Sequence, residues 1–181
     1  MSSQGQAQVG TVGNFLLGAG AVYLNYTTTP VLIGATKGGS TFNSGKEIRE
    51  VEQDGAYGPI KGHITKTRIA PTLTVANLEL TSANLNIFMG GATTTDQTTY
   101  DEIKENLAIV AGDYIDDIAW VGEAYDGEDV IIILENVLVT EALELAATSD
   151  KEEVVPEIVF SATYDPAAAT TVPYEIRRTK S

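Results

Sequence analysis

The sequence predicts a mostly β protein: an antiparallel β-sandwich or partly closed barrel with one short packed α-helix. Three observations carry this expectation. Apolar residues alternate with period two along two late stretches, Val137, Val139, Leu143 and Leu145, then Ile158, Phe160, Ala162 and Tyr164. Turn signals recur between the stretches, at Asp54-Gly55, Gly58-Pro59 and Asp126-Gly127. Only one segment has helical spacing, with Leu85, Phe88 and Met89 at i, i+3 and i+4.

In chain order, residues 1–13 are rich in Gly, Ser and Gln and read as a flexible arm preceding one β domain over 14–164. Residues 14–26 place Gly18-Ala19-Gly20 between apolar residues, which predicts a short strand on either side of a glycine turn. Val31-Leu32-Ile33 predicts a buried strand running into a glycine-rich loop over 34–45. In that loop Gly34, Gly38 and Gly39 bracket Lys37 and free the backbone to adopt positive φ.

Residues 46–53 are strand-like but heavily charged. Ile48 and Val51 are three apart, which breaks alternation and predicts a bulge or a sheet edge. A long strand is expected over 60–69. In the strand after Pro71, Leu73 and Val75 share a parity opposite to that of Leu78 and Leu80, so a bulge or a change of sheet belongs near Ala76-Asn77. Thr81 or Ser82 then caps a helix over 82–89, ended by Gly90-Gly91. Its stripe of Leu85, Phe88 and Met89 is expected to face the core.

Residues 92–106 read as a polar, exposed insertion. Strands are expected at 109–112, 114–124, 130–134, 137–145 and 154–164. Residues 165–181 read as a flexible C-terminal arm with a small apolar patch, Val172 and Tyr174, and a basic end including Arg177 and Arg178. This arm suggests a strap that docks on a neighbouring subunit.

Charge is uneven. The chain of 181 residues has a net charge of −14. Residues 92–157 hold eighteen Asp+Glu against two Lys+Arg, while 1–91 hold five against six. Nucleic-acid binding by phosphate neutralisation needs a basic patch, which this balance disfavours. Cysteine is absent, so disulfides, thiolate metal sites and cysteine nucleophiles are excluded. The start lacks a basic and an apolar region in signal-peptide order. No run of eighteen apolar residues suggests a transmembrane helix.

Catalytic chemistry has little to build on. The single histidine, His63, reads as a strand side chain with no catalytic duty. The glycine loop lacks both G-x-x-x-x-G-K-[ST] and G-x-G-x-x-G, so it is not a phosphate cradle. Asp113, Asp116, Asp117, Glu123, Asp126, Glu128 and Asp129 are the only carboxylates dense enough for a cation. They lack the D-x-D-x-D-G spacing of a calcium loop and read as solvated strand-edge charge. Neither enzyme activity nor a cofactor is expected.

The order of parts from 30 to 91 is G-A-T-x-G-G-S-T-F, then E-I-R-E-x-E-x-D-G-A-x-G-P-I-K-G, then an alternating strand and T-S-A-N-L. It resembles the major tail (tail tube) proteins of long, flexible-tailed bacteriophages. The likeness is good over 30–91, fair for the strands over 130–164, and absent between them. It implies a structural virion protein made in the host cytoplasm. Copies would form rings, six to a ring, which stack into a hollow tube that phage DNA crosses without specific binding. The partners implied are further copies, the tape measure protein and tail-end proteins. It also implies an inter-ring contact loop comprising Gly34, Lys37, Gly38, Gly39, Phe42 and Lys46. The competing reading from another class is a β-sandwich carbohydrate-binding or adhesion module, for which Trp120 and the tyrosines would have to line an exposed face.

Overall fold

A computed structural model describes residues 16–55, 57–124, 127–146 and 152–179. The expected arm over 1–13 lies outside them. Among the described residues the protein is mostly β, with 49% in strands and 7% in helix. The described residues form twelve strands, β1 (Leu16–Leu24), β2 (Val31–Leu32), β3 (Thr36–Asn43), β4 (Lys46–Glu50), β5 (Ile64–Ile69), β6 (Thr72–Asn77), β7 (Ala92–Asp96), β8 (Asp101–Glu105), β9 (Ile115–Ala124), β10 (Asp129–Val139), β11 (Glu157–Ala162) and β12 (Tyr174–Arg178). One α-helix, α1 (Ser82–Phe88), follows β6.

Eight strands form one antiparallel sheet in the order β2-β1-β9-β10-β11-β6-β3, with β12 also paired to β10. The sheet does not close into a barrel; it folds over on itself as a sandwich. The fold-over is centred on β10. One edge of β10 pairs with β9 along most of its length. The other edge takes β12 beside residues 130–134 and β11 beside 137–139. Asn136 separates the two halves with a φ of 51°. Before it Ile132 and Leu134 face the main core, and after it Val137 and Val139 do. A left-handed residue breaks strict alternation, so both halves of a bent strand can present side chains inward.

The core between the layers includes Val22, Leu24, Ile33, Leu73, Val75, Phe88, Ile118, Trp120, Leu134, Val137, Ile158 and Phe160. The opposite parity of β9 and β10 builds a second, smaller cluster of Ala119, Ile131 and Ile133, covered by Tyr26 and Val121. Trp120 lies across two glycines. A Cβ on Gly20 would stand 2.4 Å from its indole, and one on Gly122 would stand 2.1 Å away. Only glycine lets the ring settle on the backbone there.

Several expectations need correction. The glycine turn at 18–20 is not a turn: β1 runs straight through it, with a register shift between Leu16 and Gly20. Val31 and Leu32 are exposed, and only Ile33 of that trio is buried. The expected loop over 34–45 is mostly strand β3, with its register shift falling between Thr36 and Ser40. Gly38 and Gly39 supply the positive φ that such a bulge needs. The strand expected at 60–69 begins only at Ile64. The change of parity after Val75 coincides with the end of β6 at Asn77.

The insertion at 92–106 is an antiparallel hairpin, β7–β8, whose residues are mostly exposed. Residues 109–112 form no strand; Ala111–Asp113 is a 3-10 turn. The two strands expected at 130–134 and 137–145 are one, ending at Val139, so Leu143 and Leu145 lie beyond it. β11 is shorter than the expected 154–164 but keeps Ile158, Phe160 and Ala162 buried.

The helix starts at Ser82, where the Thr81 hydroxyl accepts from the Asn84 amide at 3.2 Å. Its predicted stripe is only partly inward. Phe88 is fully buried, Leu85 and Met89 are half-buried, and Ile87 packs on the core instead. Finally, the C-terminal arm is not free. Residues 174–178 are β12, a strand of the main sheet in the same chain.

Candidate functional site

Strands β4 and β5 pair only with each other, forming a ribbon outside the main sheet. The ribbon begins where Gly45, with a φ of 57°, turns the chain out of β3. A Cβ at this glycine would lie 1.8 Å from the Ala70 carbonyl oxygen, and the Ala70 amide donates to the Gly45 carbonyl at 3.1 Å. These contacts close the base of the ribbon with no room for a larger residue. All five residues of β4 are exposed, as are the first five of β5. The predicted irregularity at Ile48 is present, as a register shift between Glu47 and Ile48.

The ribbon carries apolar groups into solvent. Ile48 and Val51 are about half exposed, Ile64 is 46% exposed, and Tyr57 at the far loop is fully exposed. A lone two-stranded hairpin is marginal in water, and no second layer covers these apolar side chains among the described residues. Basic groups are interspersed: Lys46, Arg49, Lys61, Lys66 and Arg68. Among the described residues, only Arg68 of these five makes an ion pair, with Glu47 at 3.5 Å.

The residues expected to form the contact loop lie on β3 or directly beside it. Lys37 is on β3 and pairs with Glu153 at 3.0 Å within the same chain. The Glu153 carboxyl is held below its ordinary range by a backbone hydrogen bond and by Lys37. Gly34 packs on Glu79, and the Ala35 amide donates to the Glu79 carboxylate at 3.1 Å. Phe42 points inward against the core. Lys46 alone of the set belongs to the ribbon, and the segment expected as a loop is an edge strand of the main sheet.

The expected C-terminal strap meets the same strand. Tyr174 stacks obliquely on Phe42, ring centroids 5.3 Å apart, so two candidate sites from distant sequence join within one core. Arg177 pairs with Glu175, which raises its already high pKa. Arg178 pairs with Glu128 at 2.8 Å. Val172 and, on β12, Ile176 remain exposed at the surface.

Three of the carboxylates between 113 and 129 bond within the fold, whereas Asp116 is exposed. Asp113 accepts from the Val110 amide at 2.7 Å, Asp117 from the Thr27 amide and hydroxyl, and Glu128 from Arg178. Asp126 lies outside the described residues. Among the described residues, no group of three or more His, Cys, Asp and Glu side chains is placed to hold a metal ion. His63 precedes β5, and its Nδ1 is buried without a hydrogen-bond partner. Trp120 is 8% exposed, with its indole turned onto the glycines of β1 and β9. No helix among the described residues is long and apolar enough to cross a membrane.

Sequence reasoning missed the importance of Ile48, Val51, Tyr57 and Ile64 as a group. The available signal was the charge of 46–53 and its broken alternation, which marks a strand that no core can accept. Comparison with protein-family models finds no family that matches the chain, and comparison with curated proteins finds no relative.

Proposed function

We propose that this chain is a structural subunit that assembles with copies of itself, in the manner of a phage tail-tube protein. In this reading, rings of the subunit stack into a hollow tube in the virion, with tape measure and tail-end proteins as further partners. The observation that carries the reading is the β4–β5 ribbon, a two-stranded sheet exposed on both sides and bearing Ile48, Val51, Tyr57 and Ile64. An element of this kind gains its second layer from another molecule. The open edge of β3 and the short β2 edge support the same reading, because edge-to-edge association removes unpaired backbone groups. A net charge of −14 suits a conduit that DNA crosses without sticking. We assign the chain no catalytic role.

The test is sedimentation velocity over a wide concentration range, with added salt to relieve repulsion among acidic copies, followed by negative-stain microscopy. Rings or hollow tubes formed without nucleic acid are the expected result. A species that stays monomeric at every concentration overturns the proposal.

A further inference from the structure

The molecule carries a groove that complements the ribbon in charge. Met89, Glu105, Ile109, Leu138, Glu141 and Leu143 line a depression of about 530 Å³. Leu138 forms a buried floor, Ile109 is 58% exposed, and the neighbouring Leu107 is fully exposed. Glu105 and Glu141 are exposed at its rim. Asn106 and Thr140 also line it, so it is a mixed trough with an apolar floor and acidic sides.

Topology separates the two features. β6 and β10 both run antiparallel to β11, so they point the same way. The ribbon leads into β6 at that strand's N-terminal end, whereas the groove lies where the chain leaves β10 at its C-terminal end. Thr72, where the ribbon enters β6, and Leu138 of the groove both pair with Ser161 of β11, so the base of the ribbon and the groove lie on opposite sides of that strand. Between two copies, a ribbon-to-groove contact joins unlike surfaces, and such a contact repeats without closing on itself when the copies stack.

Charge selects which side of the ribbon enters. Residues 60–69 contain Lys61, Lys66 and Arg68 and no carboxylate, while the acidic residues of the ribbon, Glu47, Glu50, Glu52 and Asp54, precede them. Lys61 and Lys66 have no ion-pair partner among the described residues. A basic strand with Ile64 exposed on it complements a trough with an apolar floor and glutamates on its rim.

We propose that β5 of one copy seats in the groove between α1, β8 and the end of β10 of a second copy, Ile64 meeting Leu138 and Ile109, and Lys61 and Lys66 meeting Glu105 and Glu141. The inference rests on the self-assembly reading and names the surface that receives the ribbon. It is tested by charge exchange in the full chain. One variant carries Lys61→Glu with Lys66→Glu, and another carries Glu105→Lys with Glu141→Lys. All four positions are exposed, and circular dichroism verifies that both variants fold. Each variant alone should need a concentration higher by at least roughly tenfold to assemble, and an equimolar mixture should regain assembly, because reversed ribbons then meet reversed grooves.

A second readout uses the absence of native cysteine. Ile64→Cys together with Ile109→Cys should give intermolecular disulfide ladders on mild oxidation of the assembled protein. A wild-type chain that assembles while the mixture fails to recover and no ladder forms overturns the groove and leaves self-assembly standing. A wild-type chain that never assembles overturns both.

Discussion

Thr27 clamps the buried carboxylate of Asp117 across the top of β1 and β9. Its amide donates to Oδ1 at 3.2 Å and its hydroxyl donates to Oδ2, while Asp117 is 3% exposed. The Asn25 amide adds a bond to the Asp117 carbonyl at 2.7 Å, and Asn25 sits at a φ of 50°. Together these bonds fold the β1–β2 connection back, so that Tyr26 covers Ala119, Ile131 and Ile133 on the outer face of the sheet.

Asp117→Ala should therefore destabilise the fold by about 1–3 kcal/mol, since the Thr27 donors lose a buried acceptor. Urea unfolding measures the loss. The exposed neighbour Asp116 is the control, and Asp116→Ala should stay within about 0.5 kcal/mol of wild type.

The floor beneath Trp120 gives a second expectation. Gly122→Ala places a methyl group where the indole now lies, which should cost about 1–3 kcal/mol through overpacking. Near-ultraviolet circular dichroism of the single tryptophan should change along with the melting temperature. An unchanged signal would mean that the ring does not rest on this glycine.

The helix supplies a graded test. Phe88→Ala should cost about 3–5 kcal/mol, as expected for a fully buried phenyl ring. Leu85→Ala, at a half-buried position, should fall at or below about 2 kcal/mol, the low end for a buried leucine. Thermal melts of the two variants establish their order.

The C-terminal segment should behave as part of the sheet. Ending the chain after Asp165 removes β12 and the ring that packs on Phe42, so the melting temperature should fall even in dilute, unassembled protein. Tyr174→Ala should reproduce part of that loss. Equal melting of truncated and intact chains would contradict the pairing with β10.

Acidification probes the Lys37–Glu153 pair. The Glu153 carboxyl lies below its ordinary range in the folded chain, so its stabilising contribution is present above the unfolded-state value. It is lost as pH falls through the folded-state value. Both partners are well exposed, so the effect is small and screened by salt. Melts of wild type and Glu153→Gln should differ slightly at neutral pH in low salt and converge in acid.

Much of the fold was legible because side-chain period is a local property. The alternation at Ile158, Phe160 and Ala162 and the cap at Thr81 depend on neighbours within a few residues, and both appear as expected. The role of Tyr174 was not legible, because nothing near it in sequence announces Phe42 as its partner. The glycines of β3 misled for a related reason. Gly38 and Gly39 look like a free loop until β6 is placed alongside and turns them into a bulge. At the candidate site, the charged ribbon was readable as strand, but its lack of a second layer emerges only once every core position is filled elsewhere.

The double pairing along one edge of β10 also sets the order of events during synthesis. β10 can meet β9 as soon as the hairpin has left the ribosome, because the two are adjacent in sequence. Its other edge stays open until residues 157–162 and then 174–178 have been made. Through that interval the nascent chain exposes an unpaired strand rich in isoleucine and leucine, the kind of edge that captures other chains. Slow, non-local pairing of this sort makes the newborn subunit dependent on being finished before it meets its own kind.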